Sequence, residues 1–124
     1  MFQFKDHVDH YDDVFASLPY AIDHMKGMIK CDAEDINKSH YTIIDDTTGE
    51  VVSEYISDNY HLFTKANMLK LLSCTGECIN GLSHAPDLQR EQIPLWIIDD
   101  IRRYSERLAN IANAMEAVLP QAGH

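Results

Sequence analysis

Long hydrophobic runs are missing. No apolar stretch exceeds four residues in the 124-residue chain, and a membrane-spanning helix needs about 20. No basic-then-apolar segment opens the sequence, so no leader is expected. Cysteine is sparse and odd in number. Cys31, Cys74 and Cys78 make neither a disulfide framework nor a paired CxxC metal site. Reduced thiols in a cytoplasmic protein are the expectation, with Cys78 buried as a small hydrophobe. The five glycines form no phosphate-cradling loop, and GxSxG, HExxH and kinase patterns are absent. Without a catalytic motif, a non-enzymatic role with no cofactor is favoured. Basic residues are also scarce. Ten Lys and Arg stand against twenty Asp and Glu, for a net charge of −10 and a pI near 4.9. Such a balance disfavours direct binding to nucleic acid or anionic membranes, which takes a basic face.

Enough apolar residues remain, 45%, for one hydrophobic core in one domain spanning residues 1–124. "MFQFK" alternates apolar and polar and suits a short edge strand carrying Phe2 and Phe4. Val8, Tyr11, Phe15, Leu18, Ile22, Met25 and Ile29 are spaced three and four apart, which predicts one helical stripe. Pro19 interrupts it. It predicts a kink, or a second helix capped by Ser17 with Pro19 in its first turn. The polar stretch 31–39 reads as loop. Two β-branched and aromatic runs around "DDTTGE" predict a β-hairpin over 40–45 and 50–56.

A further helix is predicted over 64–83, with Thr64 as N-cap and Met68, Leu72, Thr75, Ile79 and Leu82 as its stripe. The last helix follows Pro94 with a seam of Ile97, Ile101, Tyr104, Leu108, Ile111, Met115 and Val118. Tyr104, Leu108 and Trp96 are expected in the core. The matching periods predict that these two helices form an antiparallel hairpin. The fold class is therefore α+β: a β-hairpin, with a candidate third strand, packed against three to four helices. The length of the last seam suggests a homodimer.

Two stretches carry the functional signal. "DHVDHYDD", residues 6–13, holds Asp6, Asp9, Asp12 and Asp13 and no base. Residues 41–60 hold Asp45, Asp46, Glu50, Glu54 and Asp58 and no base. If both stretches lie on one side, these acids form a negative face for a basic partner. Asp6, Asp9, Asp12, Asp13, Asp45, Asp46, Glu50 and Glu54 are the candidate contact residues. The function expected is that of a small acidic protein-binding regulator of the cytoplasm, an inhibitor, anti-activator or adaptor. One form of it is a nucleic-acid mimic acting on a nucleic-acid-handling protein. The alternative is a metal-binding domain or metal-dependent enzyme centred on His7, His10 and His24, since imidazoles at i and i+3 of a helix can share an ion.

Overall fold

The computed structural model describes residues 1–123. Its elements run β1 (Phe2–Asp6), β2 (Tyr11–Phe15), α1 (Leu18–Asp35), β3 (Ser39–Asp45), β4 (Val51–Ser57), α2 (Lys65–Ser83) and α3 (Leu95–Val118). Short 3-10 turns lie at Tyr60–Leu62 and Pro86–Gln89. The chain divides into two compact units, Met1–Leu62 and the segment from Phe63 onward. The architecture is α+β: a four-stranded antiparallel sheet with α1 in the first unit, and a helical hairpin in the second.

The sheet order is β2-β1-β3-β4, with every pairing antiparallel. Side chains alternate faces along a strand, and this sorts the residues. Phe4 lies between Asp13 of β2 and Ile43 of β3, and Ile43 opposes Ser53 of β4. Phe4, Tyr41 and Ile43 face α1 and bury themselves against its Ala21 and Met25. Phe2, Phe15, Leu18, Ile22 and Tyr55 ring that cluster. Each large side chain so buried contributes about 1.5–3 kcal/mol. The opposite face carries Lys5, Asp12, Val14, His40, Thr42, Glu54 and Ile56.

α1 begins where a proline permits it. Ser17 is the N-cap, its hydroxyl accepting from the Tyr20 amide at 3.4 Å, and Pro19 sits in the first turn. α1 ends at Ile36, whose φ of 56° is left-handed. Glycine usually takes that place. Here the Ile36 side chain is buried, which offsets the strain of a β-branched residue in that region. The β3–β4 turn takes its left-handed residue from Gly49, φ 74°.

α2 starts at its predicted cap, Thr64, which accepts from the Asn67 amide at 3.2 Å. α3 follows Pro94, the N-cap residue. The two helices pack on each other. Met68 and Thr75 of α2 and Ile97, Ile111 and Ala114 of α3 are buried. Arg103 pairs with Asp100 at 3.0 Å on the surface.

Several expectations are corrected. Residues 8–15 are not helical: Val8 lies in a turn and Tyr11–Phe15 form β2, with Val8 and Tyr11 exposed. The stripe is genuine only from Leu18 onward. Residues 31–35, expected as loop, are the last turn of α1. β1 is an inner strand, not an edge. Trp96 is 47% exposed, so it does not anchor the core. Cys78 is exposed, as are Cys31 and Cys74. Tyr104 and Leu108 are half-buried, and Ile101 is exposed.

Candidate functional site

The eight acids read from the sequence do not share one place. Asp6 is only 4% exposed. Its Oδ1 accepts from the amides of Val8 at 2.9 Å and Asp9 at 3.1 Å. It therefore builds the β1–β2 turn, an aspartate side chain standing in for a backbone acceptor. Asp9 is exposed in the turn itself. Asp12 is exposed on the sheet face away from α1, opposite Lys5. Asp13 is half-buried at the β2 edge. Its carboxyl is held below the ordinary carboxylate range, first by the Val14 amide and then by the Tyr11 hydroxyl at 3.0 Å.

Asp45, Asp46 and Glu50 belong to the other end of the sheet. Phe2 pairs with Asp45, while Asp6, four residues along β1, pairs with Tyr41. Four steps of about 3.4 Å separate the two ends by about 14 Å. That exceeds the Debye length of about 8 Å at physiological salt. The acids thus form two patches that scarcely feel each other, not the single face expected. Asp45 also has a local task, accepting from the Thr47 amide at 2.9 Å. Asp46 and Glu50 are exposed. Glu54 lies exposed on the outer face, its Oε2 3.8 Å from His40 Nε2.

The acidic end near Asp6 contains a residue that the sequence reading passed over. Asp32, on the last turns of α1, accepts hydrogen bonds from Ser39 at 2.5 Å and from the Tyr41 hydroxyl. Its pKa is raised, chiefly by burial, with Asp6 and Asp9 adding repulsion and the two hydroxyls opposing the shift. The Tyr41 hydroxyl is raised too, by burial first and then by Asp32. The network continues to Asn59, 0% exposed. Asn59 donates to Ser39 Oγ at 2.6 Å and to the Asn37 carbonyl at 3.1 Å, and accepts from Tyr55 at 2.5 Å. A buried polar set so fully satisfied fixes the α1–β3 junction. Tyr55 and Asn59 are four residues apart, but the other partners lie 7 to 22 residues apart, so no local motif announces the network.

The three candidate metal histidines do not converge. His7 Nε2 lies 2.8 Å from Thr42 Oγ1 on the outer sheet face, with its ring stacked on His40 at 4.3 Å. His24 stands on α1, on the other side of the sheet, between Phe4 and Phe15 at 4.8 and 5.0 Å. His10 occupies the β1–β2 turn with φ 55°. Among the described residues, no three His, Cys, Asp or Glu side chains group as metal ligands. The helix that was to put His7 and His10 on one face is a hairpin turn.

No helix among the described residues is long and apolar enough to cross a membrane. No family model, curated protein or solved structure matches the chain.

Proposed function

We propose that this protein is a small acidic protein-binding regulator of the cytoplasm, an inhibitor, anti-activator or adaptor whose sheet unit meets a basic partner. One observation carries the reading. The first 62 residues hold thirteen acids against four bases, net −9, while the remainder holds seven against six, net −1. The charge is concentrated on one unit, where its field can steer a basic protein. A nucleic-acid-handling protein is the kind of partner that suits it. Separated acidic patches offer such a protein discrete negative points in place of phosphates. The contact residues are Asp9, Asp12, Asp46, Glu50 and Glu54, all exposed. Asp6 supports the turn from within.

The test starts with affinity capture from the native cell, where a basic nucleic-acid-handling protein is the expected eluate. Its association rate should fall as salt rises. It should fall again in a variant with Asp9→Asn, Asp12→Asn, Asp46→Asn and Glu50→Gln. A partner whose rate ignores both salt and the four changes overturns the reading.

A further inference from the structure

We propose that the chain forms a two-fold homodimer through the exposed face shared by α2 and α3. Each helix presents the same stripe. On α2 it is Leu69, Leu72, Gly76, Ile79 and Ser83. On α3 it is Ile98, Ile101, Ser105, Leu108 and Ala112. Both are spaced three, four, three, four, so each stripe stays on one helical face. Neither contains a charged residue. Leu69, Leu72, Ile79, Ile98 and Ile101 are 37–52% exposed. They stand apart from the buried Met68, Thr75, Ile97 and Ile111 on the same helices.

Size favours a second copy. α2 has 19 residues and is about 28 Å long at about 1.5 Å per residue. Two helices packed about 8–10 Å apart span about 20 Å across. The face therefore covers on the order of 500–600 Å², and two copies together bury about 1,000 Å² or more, the threshold for a specific interface. Charge favours the same occupant. A basic partner finds no acid to grip on either stripe, while the near-neutral helical unit, net −1, lets two copies approach with little repulsion. The acidic sheet units would repel each other instead.

The face also matches itself in relief. Ile79, Leu82, Ile101, Tyr104, Ser105 and Leu108 line a groove of about 200 Å³, room for a branched aliphatic side chain. Gly76 lies between Leu72 and this groove, and a Cβ there would meet nothing within 4 Å. An axis at the level of Gly76 carries Leu72 of the second copy, about 6 Å to one side, to the level of Ile79 and Leu82 on the other. Leu72 then fills the groove as a knob fills a hole, and the contact is reciprocal.

Sedimentation equilibrium of the full chain tests this. At high micromolar concentration the mass should be twice 14.2 kDa, and it should persist from about 0.1 M to about 1 M salt, where ionic contacts are screened. Leu72→Glu and Ile101→Glu should each halve the mass while leaving the far-UV helical signal intact. A second measurement does not depend on those variants folding. In a chain with Cys31→Ser, Cys74→Ser and Cys78→Ser, Gly76→Cys should oxidise to a covalent dimer, because an axis at that level brings the two Cα atoms within the reach of about 7 Å that a disulfide needs. Ser73→Cys, off the stripe, should not. A wild-type mass of 14.2 kDa, a folded Leu72→Glu chain that remains dimeric, or cross-linking at Ser73 as ready as at Gly76 overturns the proposal.

Discussion

The two halves of this chain are equal in length and opposite in surface character. The sheet unit carries almost the whole net charge, while the helical unit is nearly neutral and leaves Leu69, Leu72, Ile98 and Ile101 exposed. The sheet buries its apolar side under α1 and keeps acids at both ends. Charge of one sign keeps copies of a surface apart and draws the opposite sign from a distance. An uncharged apolar stripe acts only on contact, and on its own kind as readily as on another. The two surfaces therefore suit different occupants, and salt should separate them: binding through the sheet weakens as salt rises, and pairing through the helices does not.

The largest expected effects test whether each unit has a core of its own making. Phe4→Ala should cost about 3–5 kcal/mol and Ile97→Ala about 2–5 kcal/mol, read from urea unfolding. A cost below about 0.5 kcal/mol for Ile97→Ala would mean that α3 is rotated, and that its exposed stripe is its core.

Next come two polar groups that burial disfavours, one from each unit. Thr75 Oγ1 on α2 is buried with no hydrogen-bond partner among the described residues. Thr75→Val keeps the shape and should stabilise by about 1–3 kcal/mol, equally at every pH. Asp32→Asn should also stabilise at pH 7, since the amide oxygen still accepts from Ser39 and Tyr41 while the half-buried charge is gone. This gain depends on pH. A carboxyl whose folded pKa is raised penalises folding when ionised. The penalty is full above the folded pKa and fades as pH falls through it towards the ordinary value of about 3.9. Thermal unfolding across that range should show the Asp32→Asn advantage shrinking with acid while the Thr75→Val advantage holds. Parallel curves would remove the assigned cause.

The smallest effects concern the caps, again one to a unit. Ser17→Ala and Thr64→Ala should each cost about 1 kcal/mol. A markedly larger loss at Ser17 would show that the cap also holds the β2–α1 junction in place.

What the sequence disclosed follows the same division between local and distant. The caps at Ser17 and Thr64, the β3–β4 hairpin and the start of α3 after Pro94 were legible because neighbouring residues specify them. Residues 6–16 were misread because Val8, Tyr11, Phe15 and Leu18 fit a helical spacing, while Tyr11, Asp13 and Phe15 fit an alternating strand equally well. The decisive feature was the turn between them. It rests on Asp6 and on His10 in a left-handed conformation, without the glycine that usually marks such a place. Summing acids over sequence windows gave the correct charge but not its placement, because antiparallel pairing sends the β1–β2 and β3–β4 turns to opposite ends of the sheet. Asp32 and Asn59 were invisible for a related reason. Their partners arrive from other elements.

The inner position of β1 has a consequence for synthesis. β1 finds β2 at once, across a four-residue turn, but its other neighbour, β3, ends 39 residues after Asp6. At about 5–20 residues per second, a ribosome takes about 2–8 s to supply that stretch. Until β3 arrives, β1 has an open edge even after α1 has been made, the condition in which nascent strands pair with the wrong chain. Lys5, Asp12 and Asp13 lie on those two strands. Charge flanking an unavoidable apolar strand is a known guard against such pairing. Neutralising Asp12 and Asp13 should therefore lower the soluble yield of newly made chains more than it lowers the stability of finished ones.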